Sequence, residues 1–243
     1  MPLDTSLIMD ATIRRISTDE AMPDLASQPP WPTPKASDSP RTWIVVPARK
    51  GSRGVENKNV KLLGTTTPLR MAIQCAGVLG GKVVVTTDYH HTDDPIFVTR
   101  PAHLATDTAS MWAVLSDLYT TQHWRDDDII VLLQPTSLHK DRAGIAKMML
   151  KEGHLPSCTV DRYPDRWHPW YAQVPNYPHP SPKCRQDLPP RFRPNGLVYL
   201  MSGATARKES FWYDKPKFYE LDPGSVINVD TEADWQEAER VYG

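Results

Sequence analysis

The chain has 243 residues, 28 basic and 29 acidic side chains, and a formal net charge of −1. This length suffices for one α/β domain with a substantial core, and the balanced charge excludes the bulk attraction that draws strongly basic proteins to nucleic acids or membranes. No apolar run approaches the roughly 18 residues of a membrane span, so we expect a cytoplasmic protein without a nucleic-acid or membrane partner. The three cysteines lack metal-ligand spacing, which predicts buried thiols rather than a disulfide framework.

Prolines are concentrated in two segments of the chain. Of 24 prolines, seven lie in the first 40 positions and ten lie between Pro156 and Pro194. Runs of proline prevent regular secondary structure. We therefore predict a proline-rich N-terminal extension over residues 1–41 and a single domain over residues 42–243, with an irregular arm at about 161–194.

The first predicted strand, residues 43–46, is short, apolar and β-branched, as buried strands are. In the loop that follows, residues 49–59, Gly51 and Gly54 let the backbone turn tightly and expose its N–H groups. The loop carries four cations, Arg49, Lys50, Arg53 and Lys58. Its spacing excludes the three-glycine dinucleotide pattern and the Walker pattern. The residues alone leave two interpretations, an ordinary basic surface loop or a site that holds polyphosphate.

Three blocks of this stretch resemble the signature of the N-acylneuraminate cytidylyltransferases, the CMP-sialic acid synthetases and their relatives. The blocks are Pro47-Ala48-Arg49, Gly51-Ser52-Arg53-Gly54 and Asn57-Lys58-Asn59. The resemblance begins at Trp43 and recurs in later blocks, and a lysine more often stands at position 53 in that family. It implies catalytic roles for Arg49, Arg53 and Lys58. It implies nucleotide contacts for Gly51, Ser52 and Asn59.

The same resemblance implies a fold and a reaction. The fold is a mixed, mainly parallel sheet flanked by helices, as in nucleotide-diphospho-sugar transferases, with a proline-rich substrate arm. The reaction moves CMP from CTP to an acidic keto-sugar, such as a sialic acid-like nonulosonate, releases pyrophosphate and uses Mg²⁺. In that family the segment matching residues 168–196 builds a dimerisation arm. The segment is shorter here, and the resemblance allows a homodimer.

A helix over residues 68–77 and a second buried strand over residues 82–87 precede Asp88. An acid at the C-terminal end of a parallel strand points into the crevice where α/β folds bind ligands. Aspartate is also a common turn or capping residue. The resemblance implies that Asp88 helps to hold a divalent metal.

A third strand, residues 96–99, leads to another block that resembles the family, residues 100–110. Thr106 or Asp107 is the predicted N-cap of a helix with an apolar stripe. The stripe consists of Met111, Val114, Leu115 and Leu118. The resemblance implies nucleotide contacts for Arg100 and Ala109. The family usually has a serine where Met111 stands, and a thioether cannot donate a hydrogen bond to cytosine, so selectivity for CTP stays open.

A fourth strand, residues 128–133, is followed by a further family block, Gln134-Pro135-Thr136-Ser137. The Gln134 side chain either contacts the nucleotide, as the resemblance implies, or is a buried amide satisfied by the backbone. Asp141 is the predicted cap of a helix with one apolar face. That face consists of Ile145, Met148 and Met149.

The resemblance extends beyond the proline-rich segment and implies contacts with an acidic substrate. The residues concerned are Arg185, Asn195, Tyr199, Phe211 and Trp212. A bidentate guanidinium such as that of Arg185 suits a carboxylate. Arg193 either pins a loop or faces the substrate, and the pair Phe211-Trp212 packs either on the substrate or in the core. The family has a lysine where Tyr171 stands.

The last block, residues 222–232, predicts a short strand followed by a helix. Alternation places Asn228 and Asp230 on one face of the strand. Thr231 begins the helix, with Trp235, Ala238 and Val241 facing inward. In the family both strand positions are aspartates that hold Mg²⁺, so the resemblance implies a metal site of Asp88, Asp230 and Asn228. The amide of Asn228 can ligate Mg²⁺ but adds no charge, and Asp230 could instead be a helix-flanking acid.

The leading hypothesis is a cytidylyltransferase that acts on CTP and an acidic sugar. One alternative is a cytidylyltransferase for another acid, such as a phosphonate or an octulosonate, which Met111, Tyr171 and the short arm would permit. The other is a nucleotide-binding homologue with impaired catalysis, which Asn228 suggests.

Overall fold

The structure, a computed structural model, describes residues 40–51, 54–89, 94, 96–162 and 192–243. Nearly all of the predicted extension and most of the predicted arm lie outside these residues. The elements are β1 (Thr42–Ala48), α1 (Pro68–Leu79), β2 (Lys82–Thr87), β3 (Phe97–Thr99), α2 (Met111–Thr121), β4 (Ile129–Leu132), β5 (Ser137–Leu138), α3 (Arg142–Glu152), β6 (Ser157–Arg162), β7 (Phe192–Ser202), α4 (Gly203–Lys208), β8 (Lys217–Leu221), β9 (Ile227–Asn228) and α5 (Glu232–Tyr242). Within the described ranges, no helix has the length and apolarity needed to cross a bilayer.

Seven strands form one sheet in the order β3-β2-β1-β4-β7-β6-β8, and β5 pairs with β9 in a separate small sheet. β1 is parallel to β2 and β4, β2 is parallel to β3, and β6 is parallel to β8. β7 is antiparallel to both of its neighbours, β4 and β6. The sheet is therefore mixed and mainly parallel, which confirms the predicted fold class.

The central strands are buried on both faces of the sheet. In β1, Ile44, Val45 and Val46 have no exposed surface. Because successive side chains of a strand point to opposite faces, Ile44 and Val46 pack with α1 and α3, whereas Val45 packs with α2 and α4. Burial on both faces explains why the sequence of this strand is apolar without alternation.

A third apolar cluster joins the C-terminal helix to the loop after β1. It consists of Val55, Leu63, Leu138, Val229, Trp235 and Ala238. α5 begins as predicted at Thr231, whose hydroxyl accepts from the backbone of Asp234 while the Asp234 carboxylate accepts from the backbone of Thr231. This cluster brings the last block of the chain against the predicted phosphate loop.

The start of α2 differs from the prediction. The N-cap is Ser110, whose hydroxyl accepts a hydrogen bond from the backbone N–H of Trp112 at 3.1 Å. The predicted caps, Thr106 and Asp107, lie in the preceding turns. The Asp107 carboxylate forms an ion pair with Arg49, a contact between distant segments that local sequence does not reveal.

α3 begins at its predicted cap, because the Asp141 carboxylate accepts from the backbone N–H of Gly144 at 3.2 Å. Its predicted inner face is partly wrong, since Met148 is exposed. The buried residues are Arg142, Ala146 and Met149, which lie at helical spacing. The apolar pattern did not predict this inner face, because one of its three residues, Arg142, is charged.

The start of the described domain is anchored on Asp128, whose side chain is fully buried. Its carboxylate accepts from the backbone N–H and guanidinium of Arg41, from the Trp43 indole and from the backbone of Arg125. Burial alone would raise the pKa of Asp128, but these hydrogen bonds outweigh it and hold the pKa at about 2. This anchor lies at the edge of the sheet opposite the strand ends described next.

Candidate active site

Four of the predicted site segments follow the C-terminal ends of neighbouring parallel strands. Arg49 follows β1, Asp88 follows β2, Arg100 follows β3, and Gln134 lies just beyond β4. Parallel strands end at the same edge of a sheet, so the fold brings these segments to one side of the molecule.

The phosphate loop, residues 49–59, is closed by contacts among its predicted members. The backbone N–H of Lys50 donates to the carboxylate of Asp88 at 2.7 Å, which joins the loop to the end of β2. The buried Asn59 amide donates to the backbone oxygen of Arg49 at 3.0 Å. Asn59 therefore shapes the loop, and Gly51 supplies a left-handed turn at φ 71°. Two predicted members, Ser52 and Arg53, lie outside the described residues.

Arg49 and Arg100 place two cations near Asp88. The Arg49 guanidinium pairs with Asp107, which links the phosphate loop to the segment before α2 that also holds Ala109. Arg100 is buried and donates to the backbone oxygen of Thr86 at 3.1 Å, whereas its Nε has no partner among the described residues. Burial lowers the pKa of Arg100 to about 10, and Asp88 opposes this shift. An unsatisfied N–H on a buried cation is suited to bind a polar or anionic ligand.

The far end of the phosphate loop meets the C-terminal block. The Lys58 ammonium donates to the backbone oxygen of Val229 at 2.6 Å and to the Asp230 carboxylate at 2.9 Å. Gly54 lies directly on this block, because a Cβ at its position would lie 1.7 Å from the backbone oxygen of Asp230. A predicted catalytic cation and a predicted metal ligand are thus in direct contact.

Asn228 reaches the same region through the small sheet. It pairs with Ser137 between β9 and β5, and Val229 donates to the backbone oxygen of Thr136 at 2.9 Å. The strand ends at Asn228, two residues before Asp230, so the alternation predicted for this pair does not apply, yet Asn228 and Asp230 line one cavity. This pairing connects the block after β4 with the last block of the chain.

Of the predicted metal ligands, Asn228 and Asp230 line one cavity, whereas Asp88 is not among the residues that line it. Asp88 and Asp230 each have one carboxylate oxygen bonded to nitrogen, and Asn228 offers an amide oxygen. Among the described residues, no group of three or more histidines, cysteines or acids could hold a metal ion. Mg²⁺ in phosphate-transfer sites is typically held by one or two carboxylates together with substrate phosphates, and such hard oxygen donors fit that pattern.

A cavity of about 550 Å³ lies beside Asp230. Ligand sites of this kind typically measure some 300–1,000 Å³, so it is large enough for a sugar acid. Five of the predicted site residues line it, namely Gln134, Asn195, Tyr199, Asn228 and Asp230. Arg193, Gly196, Asp234 and Glu237 are further members of the wall.

The wall is closely packed where Gln134 meets Gly196. A Cβ at position 196 would lie 2.7 Å from the side-chain oxygen of Gln134 and 2.5 Å from the hydroxyl of Ser137, and the backbone there has φ 75°. The side chain of Gln134 makes no hydrogen bond to the described residues. The backbone partner that one interpretation of Gln134 requires is therefore absent from the described residues, and its contact with the nucleotide stays a prediction.

Asn195 forms part of the wall in a different way from the one predicted. Its amide oxygen accepts from the Thr159 hydroxyl at 2.6 Å and from the backbone of Leu197, and its amide nitrogen donates to Asp161 at 2.9 Å. The side chain is buried and holds β7 to β6 where their register shifts. Asn195 therefore shapes the cavity through the backbone rather than by offering a free amide.

The predicted aromatic pair is divided between core and surface. Phe211 has no exposed surface and stacks on Trp112 at 4.9 Å between ring centroids, so the core-packing interpretation holds for this residue. Trp212 is 44% exposed and meets both rings edge-on. Tyr199 packs edge-on against Phe211, and burial raises the pKa of its hydroxyl well above the usual range. Of these three aromatic residues, Trp212 is the exposed one, and Tyr199 is nearly buried but lines the cavity.

Arg185, predicted to bind the substrate carboxylate, lies outside the described residues. Arg193 is exposed and approaches Asp161 at 3.7 Å, so the loop-pinning interpretation has a partner, while the residue also lines the cavity. Sequence reasoning missed Trp112 and the buried Arg142. The sequence does mark Arg142 as unusual, because a cation directly after the N-cap opposes the helix dipole and is rare at that position.

Sequence comparison supports the resemblance noted above. The chain is 25% identical over 220 residues to the N-acylneuraminate cytidylyltransferase of Escherichia coli, covering 79% of this chain and 50% of that protein. The N-acylneuraminate cytidylyltransferase A of Danio rerio is also 25% identical, over 86% of this chain and 52% of its own length. The chain thus spans about half the length of these relatives. No protein-family model matches the sequence.

Structural comparison supports the fold. CMP:2-keto-3-deoxy-manno-octonic acid synthetase, solved in complex with CTP, superposes with a TM-score of 0.54 at 15% identity, covering 83% of this chain and 98% of that one. At this identity the likeness shows the shared fold alone. The sequence comparison thus points to relatives that are cytidylyltransferases, and the structural comparison adds that the fold is shared with a CTP-binding synthetase.

Proposed function

We propose that this protein transfers the cytidylyl group of CTP to a hydroxyl of an acidic keto-sugar of the sialic acid type and releases pyrophosphate. The resemblance to N-acylneuraminate cytidylyltransferases supports the reaction class, and the mainly parallel sheet supports a nucleotide site at its strand ends. The observation that carries the proposal is the contact of Lys58 with Asp230, because it joins the phosphate loop to the wall of a cavity of sugar-acid size.

In the proposed reaction, the acceptor oxygen forms a bond to the α-phosphorus of CTP while the bond from that phosphorus to the β-phosphate oxygen breaks. Pyrophosphate leaves with the electron pair, and the proton of the acceptor hydroxyl passes to solvent water. Arg49, Arg53 and Lys58 would bind the phosphates and stabilise the charge that develops on the leaving group. The backbone N–H groups around Gly51 would supply further donors.

Asp88, Asp230 and Asn228 would hold Mg²⁺, which lowers the pKa of a coordinated hydroxyl when it is bound. Lys58 keeps one oxygen of Asp230 engaged, which orients the carboxylate toward the cavity wall. The buried Arg100 and the amide of Gln134 would contact the nucleotide. The cavity beside Asp230 would take the acceptor.

The test is pyrophosphate release from each of four nucleoside triphosphates, with Mg²⁺ and with a nonulosonate, an octulosonate, a phosphonate or a neutral hexose as acceptor. The proposal expects release only when CTP and the nonulosonate are both present, and formation of a CMP-sugar. Release with the octulosonate or phosphonate instead would identify another acid as acceptor. Binding of CTP without product from any acceptor would identify a homologue with impaired catalysis.

A further inference from the structure

Arg142, the first residue of α3, is a buried cation that the proposed chemistry does not use. Its side chain is only 6% exposed, and none of its partners among the described residues is a carboxylate. Burial lowers its pKa to about 10. A cation at this end of a helix also opposes the helix dipole. A buried charge without an opposite charge costs free energy of folding, so we expect the hydrogen bonds of Arg142 to serve something other than the stability of α3.

The guanidinium joins the backbone oxygen of Gln134, a residue of the cavity wall, to that of Leu197, the residue that follows Gly196 of the same wall. It donates to Leu197 from Nε at 3.1 Å and from Nη2 at 2.8 Å, and to Gln134 from Nη2 at 2.9 Å. Leu197 follows Gly196 directly, and Gln134 is the residue whose side chain lies against Gly196. Arg142 thus binds the backbone oxygen of Gln134 and that of the residue after Gly196, on the two sides of the close contact between them.

The register of the sheet explains why a side chain is needed there. The antiparallel pairing of β4 with β7 ends at Leu132 opposite Tyr199. Continued for two residues on each strand, the same register would bring Gln134 opposite Leu197, but the backbone pairing has ended by then. Nε and Nη2 together grip the backbone oxygen of Leu197, and Nη2 also bonds that of Gln134, so the planar guanidinium holds the two oxygens at a fixed separation.

We propose that Arg142 is a positioning residue that sets the place of Gln134 relative to Gly196, and through it the fit of the substrates in the cavity. The role of Gln134 as a substrate contact rests on the proposed cytidylyl transfer. Arg142 itself touches the wall from behind and acts only through the backbone of Gln134 and Leu197.

The test compares Arg142→Lys and Arg142→Met with the wild type in kcat and KM, well below the melting temperature of each protein. A displacement near 1 Å at a reacting site can lower the rate on the order of 10²-fold, so we expect a fall of that size in kcat/KM for Arg142→Met. Arg142→Lys should recover little of it, because an ammonium keeps the charge but not the planar fork. The matched control is Arg70→Met, since Arg70 is a half-buried arginine in the first turn of α1 and burial lowers its pKa too. It should keep wild-type constants.

A double variant separates positioning from simple stabilisation. If Arg142 acts through Gln134, adding Arg142→Met to Gln134→Ala should lower kcat/KM by less than threefold further. A purely structural role predicts that the two losses multiply, and that result would overturn the inference, as would a folded Arg142→Lys with wild-type kcat/KM.

The outcome for Arg142 is distinguishable from that for the proposed reaction. If the wild type releases no pyrophosphate with any substrate pair, the proposed function fails. The inference is then tested by crystal structures of Arg142→Lys and Arg70→Met. We expect the distance between Gln134 and Gly196 to change only in Arg142→Lys, and an unchanged distance would refute the positioning role.

Discussion

Replacement of Gly54 by alanine tests the contact between the phosphate loop and the C-terminal block. The added Cβ would lie 1.7 Å from the backbone oxygen of Asp230, whereas real Cβ contacts stay above 3.0 Å. Because the opposing atom belongs to the backbone, no side-chain rotation can relieve the overlap. The loop and the block must move apart by at least 1.3 Å, which separates Lys58 from Asp230.

The magnitude follows from that displacement. A shift of about 1 Å in the alignment of reacting groups costs on the order of 10²-fold in rate, so Gly54→Ala should lower kcat/KM by roughly that factor or more. Overpacking of this kind typically destabilises by about 1–3 kcal/mol. The domain should therefore stay folded at 25 °C while its activity is largely lost.

The assay is pyrophosphate release under saturating Mg²⁺, together with denaturant unfolding of the same preparations. The matched control is Gly80→Ala at the end of α1, where the backbone also has positive φ, 76°, but nothing lies within 4 Å of the added Cβ. It should lose about 1 kcal/mol of stability through backbone strain and keep its activity. Gly54→Ala with kcat/KM within threefold of the wild type would refute the reasoning, because the contact would then not set the reacting geometry.

Three further predictions concern charge. Lys58→Met should lower kcat/KM on the order of 10²-fold or more, because the ammonium meets charge on the leaving group. The control Lys61→Met, which removes a partly exposed ammonium two residues beyond the loop, should have little effect on kinetics. Asn228→Asp should lower the Mg²⁺ concentration at half-maximal activity several-fold, because the added carboxylate supplies a charge contact worth roughly 1 kcal/mol. Asp230→Ala should abolish the dependence of activity on Mg²⁺. An unchanged Mg²⁺ curve in Asp230→Ala would show that Asp230 does not hold the metal. The pKa of Asp128 is held at about 2 in the folded protein against 3.8 normally, which corresponds to about 2 kcal/mol of stability. This stability is present above pH 4 and is lost as the pH falls toward 2. In denaturant melts at pH 7, Asp128→Asn should be less stable by that amount, and an unchanged melt would contradict the shift.

The strands were predictable because two-sided burial leaves a direct trace in the sequence. β2 has the predicted bounds, Lys82–Thr87, since its apolar run is ended by Gly81 on one side and Asp88 on the other. The start of α2 was not predictable in the same way. Asp107 is a good cap by propensity, but its carboxylate binds Arg49, and a contact across 58 residues of sequence decides the matter.

In the candidate site, too, some features were predictable from the sequence and others were not. Motifs located the phosphate loop, Asp88 and Gln134, because each follows a strand end that the sequence marks clearly. They could not show that the amide of Asn195 is engaged with Thr159 and Asp161, or that Phe211 is enclosed by Trp112. These outcomes depend on which side chains the folded sheet brings together, and local sequence carries no record of such pairs.

The reversed direction of β7 explains how one edge of the sheet can serve two substrates. β7 runs antiparallel to both of its neighbours, β4 and β6. Its first residue, Phe192, therefore lies at the edge of the sheet where those two strands end. In the proposed reaction, the parallel half, β1 to β3, would present the phosphate loop to the nucleotide, while residues that follow β4 and belong to β7 line the cavity. Asp230 lies between the two, in contact with Lys58 on the nucleotide side and in the cavity wall on the other. In the proposed reaction, the bond that forms joins the two substrates, and Asp230 is the described acid that touches both halves of the site.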